Sequence, residues 1–237
     1  MDLDVTYVLI PGAGGSAFYW HRVEPLLRER GHDVVAVDLP AGDDRAGLAE
    51  YADAVVSAVG GRTGLVLVGQ SMGGLTAPLV AARLPVRLLV LLNAMVPRPG
   101  ESGGQWWGNT GQDAAARRMA ARDGRSGEFE LESWFFHDVP DEVREAVFAR
   151  GEPAQSGTPF ERPWPLDGWP DVPTRFLQGR DDRLFPVEFQ RRQARERLGI
   201  DIDEMPGGHL VALSRPAELV ERLERYRVAA GWRAEAG

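Results

Sequence analysis

Residues 65–75, LVLVGQSMGGL, constrain the fold of this chain more than any other stretch. An apolar run ends in the pattern G-x-S-x-G, whose serine is Ser71, and a helix-like segment follows at once. This context predicts a sharp turn that exposes the Ser71 hydroxyl, because Gly69 and Gly73 have no Cβ to clash where strand and helix pass. The helix N-terminus would offer free N–H groups to a developing oxyanion. We therefore predict a nucleophile elbow, with an ordinary strand-to-helix turn as the alternative.

Short apolar runs alternate with helix-like segments along most of the chain. The runs that we interpret as strands lie at 5–10, 33–39, 65–68, 86–92, 174–177 and 200–204. The first two helices are predicted over Trp20–Arg30 and Asp43–Val59. Nearly all-apolar strands separated by helices are typical of a mostly parallel sheet with helices on both faces. The 237 residues are enough for one such α/β domain that carries an insertion.

The stretch from 96 to 171 differs from the rest of the chain. It is rich in Gly, Pro and charge, holds five of the seven tryptophans, and contains no strand-like run. This composition predicts an inserted helical lid, hereafter the lid segment, between a first part of the core (1–95) and a second part (172–237). Its aromatic side chains either line an apolar pocket or form the lid's own small core. The lid residues that we take as candidates for the substrate pocket are Trp106, Trp134 and His137.

Residues 12–17, GAGGSA, fit two templates. They match the dinucleotide fingerprint G-x-G-x-x-A between a strand and a helix, with Asp38 placed where an acid would bind the ribose. They also match the glycine-rich first loop of esterases, which supplies an oxyanion-hole N–H. Pro11 replaces the residue that would open a dinucleotide loop, and the aromatic triplet at 18–20 would crowd a pyrophosphate. The esterase loop is therefore favoured, and NAD(P) binding is the weaker alternative.

A serine hydroxyl needs a base that accepts its proton, and the base needs an acid that orients it. Of the histidines, His21 and His32 are predicted in solvated positions, and His137 lies in the lid segment. His209 follows Pro-Gly-Gly in a loop between the last predicted strand and the last predicted helix. Loops at the carboxyl edge of an open α/β sheet are where sites collect. We therefore predict that His209 is the base.

The orienting acid is predicted in the loop at 179–186, GRDDRLFP, which directly follows a strand. Two adjacent carboxylates compete there, Asp181 and Asp182. The second lies three residues after the glycine and four before the proline, and this spacing lets the loop turn back toward the histidine. We take Asp182 as the acid, with Asp181 as the lesser candidate.

These motifs resemble those of the α/β-hydrolase superfamily. Within it they are similar to the branch of plant methyl-salicylate-type esterases, hydroxynitrile lyases and their bacterial esterase relatives. The resemblance is carried by VLIPGAGGSAFYWHRV, LVGQSMGG, DDRLFPVEFQRRQ and GGHLVALSRPAEL. It implies the α/β-hydrolase fold, with Ser71 as nucleophile, Asp182 as acid and His209 as base in the chain order of that family. It also implies an oxyanion hole formed by the backbone N–H groups of Ala13 and Met72.

The chain departs from this pattern at four positions. Pro11 and Gln70 stand where the family usually has histidine, which affects loop hydrogen bonding but removes no member of the triad. The lyase branch carries a threonine and a lysine in its active site, and the matching residues here are Gly12 and Leu210. Both are added to the candidate pocket residues. Without the lysine nothing obvious would stabilise a departing cyanide, so ester hydrolysis is favoured.

The composition argues against several classes of binding partner and site. A net charge of −8 argues against nucleic acid or an anionic membrane surface. The absence of cysteine excludes disulfides, thiolate metal sites and cysteine nucleophiles. The first residues do not resemble a signal peptide and no run approaches transmembrane length, so a cytoplasmic location is expected. The sequence leaves the oligomeric state open.

The sequence therefore predicts a serine carboxylesterase that acts on a small, largely apolar ester and needs neither cofactor nor metal. One alternative is a thioesterase, lactonase or perhydrolase with the same triad. Another is a ligand receptor on the same fold that turns over slowly. The third is the NAD(P)-binding oxidoreductase suggested by the glycine-rich loop.

Overall fold

The computed structural model describes residues 5–231 and contains one sheet of six parallel strands in the order β2-β1-β3-β4-β5-β6. The strands are β1 (Thr6–Ile10), β2 (Asp33–Ala36), β3 (Leu65–Gln70), β4 (Val86–Leu92), β5 (Thr174–Gly179) and β6 (Asp203–Met205). The predicted α/β class with a parallel sheet is confirmed. Parts of the predicted core at 1–4 and 232–237 lie outside the described residues.

Helices cover both faces of this sheet. They are α1 (Glu24–Arg28), α2 (Leu48–Val59), α3 (Gly73–Ala81), α4 (Gly103–Thr110), α5 (Gln112–Arg122), α6 (Leu131–Phe135), α7 (Asp141–Phe148), α8 (Thr158–Glu161), α9 (Val187–Leu198), α10 (Val211–Ser214) and α11 (Pro216–Ala229). Successive strand residues point to opposite faces. Val8 and Ile10 therefore join the core beneath α2, α3 and α9, whereas Tyr7 and Leu9 join the core beneath α1 and α11. This double covering explains why the strands are apolar at nearly every position.

Two predicted helices begin later than expected. In place of a helix over Trp20–Arg30, a 3₁₀ turn spans Ala17–Trp20 and α1 begins at Glu24. Pro25 explains the break, because proline lacks an N–H and fits only the first turn of a helix. The second helix begins at Leu48 because the side chain of Glu50 accepts a hydrogen bond from the backbone N–H of Gly47 and caps the helix there.

The parallel arrangement brings the ends of distant strands together. The carboxyl ends of β1, β3, β4, β5 and β6 all lie at one edge of the sheet, since every pair of neighbours is parallel. The five helices α4–α8 lie in the long connection between β4 and β5, in the stretch for which the sequence predicts a lid. Within the described residues, no helix is long and apolar enough to cross a membrane.

A buried polar cluster ties α11 to the sheet and makes stability depend on pH. Glu224 accepts a hydrogen bond from the hydroxyl of Tyr7 (2.6 Å) and lies 2.9 Å from both His32 Nε2 and Arg227 Nη2. His32 was predicted to be solvated, but its side chain is only 9% exposed. The prediction was wrong because the acid partner comes from the other end of the chain.

We expect Glu224→Gln to lower the thermal unfolding temperature at neutral pH. Burial alone would raise the pKa of Glu224, but hydrogen bonds from His32, Arg227 and Tyr7 outweigh it and lower the pKa from 4.5 to about 2. The charge therefore stabilises the fold above pH 4.5, and this contribution disappears as the pH falls through 2. Unfolding followed by circular dichroism should show the difference between variant and wild type shrinking over that window. A difference that stayed constant would contradict this role.

Candidate active site

The turn between β3 and α3 holds Ser71 in an unusual backbone conformation. Its φ is +52°, a left-handed value that costs a residue with a Cβ on the order of 1–3 kcal/mol. Three backbone hydrogen bonds hold it there: the Ser71 N–H donates to Leu92 O, and the Ser71 C=O accepts from the N–H groups of Gly74 and Met95. This is the strained elbow that the G-x-S-x-G pattern predicts.

The glycines of the elbow are required by close approach. A Cβ on Gly69 would lie 2.8 Å from the carbonyl oxygen of Gly73, and one on Gly73 would lie 2.8 Å from that of Pro11. Gly74 is the tightest position, where a Cβ would lie 2.1 Å from the carbonyl oxygen of Met95. Each contact is shorter than carbon and oxygen tolerate without bonding. The strand and the helix therefore meet closely enough to fix the Ser71 side chain at the sheet edge.

A continuous chain of hydrogen bonds joins the three predicted triad residues. The Nε2 of His209 lies 2.9 Å from Ser71 Oγ, and its Nδ1 lies 2.8 Å from Asp182 Oδ2. An ionised carboxylate only accepts hydrogen bonds, so Nδ1 carries the proton and Nε2 is left to accept from the serine hydroxyl. His209 and Asp182 are almost completely buried, and Ser71 is 9% exposed. This is the arrangement in which a histidine acts as a base toward a serine.

The carboxylate of Asp182 is held by its own loop. Oδ1 accepts hydrogen bonds from the backbone N–H groups of Leu184 and Phe185, both at 2.9 Å, and Oδ2 accepts from Gln178 Nε2 at 3.2 Å in addition to His209. These hydrogen bonds fix the plane and the direction of the carboxylate. Asp182 is therefore positioned as a carboxylate that orients the imidazole.

The neighbouring Asp181 has a different role. Its Oδ2 accepts a hydrogen bond from the backbone N–H of Gly207 (3.0 Å), and its own N–H donates to the Gly207 carbonyl (2.9 Å). It binds the loop that carries His209 but does not reach the imidazole. Of the two carboxylates that competed in the sequence, the structure brings Asp182 to the histidine.

Asn93 was missed by sequence reasoning. It follows β4, is fully buried, and has a φ of +46°. Its Nδ2 donates to the carbonyls of Gly208 (3.0 Å) and His209 (2.9 Å), while its Oδ1 accepts from the N–H of Gly179 (2.7 Å). One side chain thus links the loop that carries the acid to the loop that carries the base. A polar residue directly after a largely apolar strand, at the carboxyl edge of the sheet, was the available signal.

Gln70 and Gln178 were likewise missed as supporting residues. Gln70, which stands where related sequences usually have histidine, donates from Nε2 to the carbonyl of His209 at 3.3 Å. Gln178, in β5, also donates to the carbonyl of Phe185 (2.9 Å), so it ties the loop of Asp182 to the end of that strand. Each follows apolar residues near the end of its strand, where it looked like an isolated exception.

The glycine-rich loop after β1 lies directly against the elbow. A Cβ on Gly12 would lie 2.9 Å from the Cβ of Ser71 and 2.5 Å from Gln70 Oε1, so only glycine fits there. Among the described residues, the backbone N–H groups of Ala13 and Met72 donate to no protein acceptor. These are the two N–H groups that the sequence predicts as oxyanion donors, and both are free to donate to a bound group. Gly12 was predicted as a pocket residue, and it lines the site beside the nucleophile.

The alternative of a dinucleotide site finds no support in this loop. The Asp38 side chain accepts a hydrogen bond from the N–H of Ala17 (2.7 Å) and is used to hold the loop. The strand order also differs from the 3-2-1-4-5-6 order of dinucleotide-binding domains. The contact of Gly12 with Ser71 instead favours the esterase interpretation of these glycines.

The other candidate pocket residues lie at different distances from the triad. Phe185 packs edge-to-face on the His209 ring at 5.2 Å, and Trp106 packs behind Phe185 with its Nε1–H bonded to the carbonyl of Val96. Trp106 is thus one layer removed from the triad. Trp134 is buried in the lid segment and donates to the carbonyl of Glu128.

His137 and Leu210 lie where the lid segment meets the loop of His209. A Cβ on Gly208 would lie 2.6 Å from His137 Nε2. Burial lowers the pKa of His137, and the nearby Arg183 lowers it further. Leu210 packs with a small apolar cluster beneath the lid that includes Phe136. Within residues 5–231, no group of three or more His, Cys, Asp or Glu is placed to hold a metal ion.

The chain is similar in sequence to known hydrolases. A model described as the alpha/beta hydrolase family matches residues 7–222. A probable esterase of Oryza sativa subsp. indica is 40% identical over 111 residues, which is 41% of this chain and 42% of the rice protein. The matched region thus spans less than half of that relative.

Two further relatives are similar over most of their length. An alpha-hydroxynitrile lyase of Arabidopsis thaliana is 25% identical over 253 residues, covering 92% of this chain and 95% of the lyase. The crystal structure of a pyrethroid hydrolase from Sphingobium faniae JZ-2 superposes with a TM-score of 0.73 at 23% identity, covering 95% of this chain and 98% of the other. At 23% identity the superposition shows a similarity of fold alone.

Proposed function

The chain belongs to the alpha/beta hydrolase family, and we propose that it is a serine carboxylesterase that cleaves a small, largely apolar ester through an acyl-enzyme. The observation that carries this proposal is the unbroken hydrogen-bonded chain from Ser71 through His209 to Asp182. Curated relatives with esterase activity in their names support the same reaction class.

In the first step, Ser71 Oγ attacks the carbonyl carbon of the ester. A C–O bond forms, the hydroxyl proton passes to His209 Nε2, and the electron pair of the carbonyl moves onto its oxygen. Asp182 stabilises the imidazolium without taking its proton. The N–H groups of Ala13 and Met72 would hold the oxyanion, each donor being worth about 10²-fold in rate or more.

In the second step, the tetrahedral intermediate collapses. The bond to the leaving alcohol breaks and His209 gives its proton to that oxygen, so the alcohol departs neutral. Water then attacks the acyl-enzyme, with His209 again taking a proton and returning it to Ser71 as the acid product leaves. Atoms and protons balance over the cycle, and the proposed chemistry uses neither metal nor cofactor.

The surroundings of the triad support an apolar substrate. The rings of Phe135, from the lid segment, and Phe185 both meet the His209 ring edge-to-face, at 5.0 and 5.2 Å. The lid segment thus covers the base, and Ser71 beside it is only 9% exposed. Aromatic surroundings favour apolar acyl and alcohol groups over charged ones.

Cyanohydrin cleavage is less well supported than ester hydrolysis. Leu210 stands where the lyase branch carries its active-site lysine, and here it packs in the apolar cluster beneath the lid. No cationic group is therefore offered at that position to a departing cyanide. The choice among ester, thioester, lactone and peracid chemistry, and the location in the cytoplasm, stay predictions.

We expect the protein to hydrolyse p-nitrophenyl esters, with kcat/KM highest for one of the shorter acyl chains between acetate and octanoate. The same preparation should release no cyanide from mandelonitrile above the uncatalysed rate. If the protein turned over a thioester or a lactone in preference to every p-nitrophenyl ester, it would be a thioesterase or a lactonase. Stoichiometric acylation without turnover would instead indicate a slow-turnover receptor and contradict the proposal.

A further inference from the structure

Part of the lid segment lies over the loop that carries the proposed oxyanion donor. We define the strap as residues 153–158. Pro153 covers Gly14, since a Cβ on that glycine would lie 2.9 Å from the proline ring, and Ala154 lies in the same way over Gly42. The strap thus contacts the glycine-rich loop at Gly14.

The strap is also bonded to the glycine-rich loop. Gln155 Oε1 accepts a hydrogen bond from the backbone N–H of Gly14 at 2.9 Å. The amide nitrogen of the same side chain donates to the hydroxyl of Tyr51 (3.2 Å) and to the carbonyl of Ser156 (2.8 Å), which fixes the direction of its oxygen. The acceptor is therefore held in place before any substrate arrives.

The hydrogen bond from Gly14 to Gln155 holds the peptide next to the one that carries the proposed donor, the N–H of Ala13. The N–H of Ala13 shares a peptide plane with the Gly12 carbonyl, which accepts from the N–H of Gly15 at 3.1 Å. A trans peptide directs its N–H opposite to its C=O, so that bond directs the Ala13 N–H away from the turn. The next plane, between Ala13 and Gly14, is held by Gln155. The two planes together determine the orientation of Ala13.

Glycine makes these planes easy to rotate unless something holds them. Gly14 has a φ of +83° and Gly15 has a φ of +60°, values that glycine adopts readily, and glycine loses more conformational freedom on being fixed than any other residue. Of the bonds that hold this loop, the one from Gln155 comes from the lid segment. The others come from the loop itself, from the Asp38 side chain, which accepts from the N–H of Ala17, and from Leu39, whose N–H donates to the carbonyl of Gly15.

We propose that Gln155 is a positioning residue that holds the Ala13–Gly14 peptide, so that the strap keeps the Ala13 N–H in the orientation that the oxyanion hole needs. This inference rests on the proposed esterase function and deepens it. It assigns to the lid a part in stabilising the transition state, beyond enclosing the substrate.

The test compares two substitutions of Gln155 with a control substitution elsewhere in the strap. Gln155→Met keeps the length of the side chain but cannot accept from Gly14. Thr158→Val is the matched control, because it removes the bond from the Thr158 hydroxyl to the carbonyl of Asp44 (2.6 Å) and leaves Gly14 alone. Gln155→Ala serves as a second variant with less bulk. Thermal unfolding of each protein checks that it is folded.

For the best p-nitrophenyl ester, Gln155→Met should lower kcat by about 10-fold with KM within about 2-fold, because a misplaced donor weakens the transition state more than the ground state. Inhibition by phenylboronic acid, which forms a tetrahedral adduct on a serine, should weaken by a similar factor of about 10. Thr158→Val should change both quantities by no more than about 2-fold.

An unchanged kcat in Gln155→Met and Gln155→Ala would overturn the inference. An equal loss in Thr158→Val, or a rise in KM alone, would also overturn it, since either would indicate that the strap only covers the substrate. The proposed function is tested separately by Ser71→Ala. If that variant keeps full activity, the esterase assignment fails. If it is inactive while Gln155→Met is normal, only the role of Gln155 fails.

Discussion

Replacing Ser71 by alanine should lower kcat for p-nitrophenyl esters by about 10⁴- to 10⁶-fold, the largest effect of any single substitution in this chain. Without Oγ no acyl-enzyme can form, so His209 and the oxyanion donors act only on a water molecule that the site does not position. The fold should survive, because alanine is smaller than serine and the three backbone hydrogen bonds of the turn remain when the Oγ bond to His209 is lost. Hydrolysis rates and thermal unfolding of the purified variant measure both.

Ser57→Ala is the control for this substitution. Ser57 lies exposed on α2, and alanine is the better helix former, so neither activity nor unfolding temperature should fall. If Ser71→Ala retained more than about a hundredth of the wild-type rate, the nucleophile would be a different group, since loss of a nucleophile costs far more.

Asp182→Asn should lower kcat by about 10⁴-fold. The asparagine side chain has nearly the same shape, but its nitrogen is a donor and its oxygen is neutral. It can no longer hold the Nδ1–H tautomer of His209 as firmly or stabilise the imidazolium that forms during attack. The Nε2 atom then loses its advantage as the acceptor of the Ser71 proton. The ester assay used for Ser71→Ala measures this loss directly.

The adjacent Asp181 provides an unusually close control. Asp181→Asn removes a carboxylate one position away that accepts from Gly207 and does not contact the imidazole. We expect its kcat to fall by less than about 10-fold, through a looser His209 loop. A larger loss in Asp181→Asn than in Asp182→Asn would reverse the assignment of the two carboxylates.

Much of this site could be predicted because each part carries a local signal. The elbow pattern follows an apolar strand, and His209 and the Asp181–Asp182 pair each follow a strand whose end lies at the same edge of a parallel sheet. A parallel sheet converts such local patterns into a shared location. Between the two carboxylates, only the structure shows a difference in contacts: Asp182 reaches His209, whereas Asp181 accepts from Gly207.

The supporting residues could not be predicted in the same way. Gln155 lies 141 positions from Gly14, and Asn93 lies 86 positions from Gly179, so no periodic pattern relates them. Each is a neutral polar residue whose sequence neighbours do not indicate a role. His32 was misread for a related reason, since its partner Glu224 lies near the other end of the chain.

Two short helices of the lid segment, α6 and α8, were also beyond local pattern. α6 and α8 have five and four residues, too short to show a hydrophobic period. Their positions depend on packing against the core, as with Phe135 on His209. Substrate preference depends on the same contacts, which is why the sequence yields a reaction class more readily than an ester.

The central claim is that Ser71 carries the acyl group during turnover, and rapid-quench mass spectrometry with a p-nitrophenyl ester tests it most directly. We expect protein quenched in acid during turnover to gain the mass of one acyl group, and peptide mapping to locate it on the peptide that contains Ser71. Ser71→Ala treated in the same way should gain nothing. Turnover with no covalent adduct, or with the acyl group on another residue, would contradict the account.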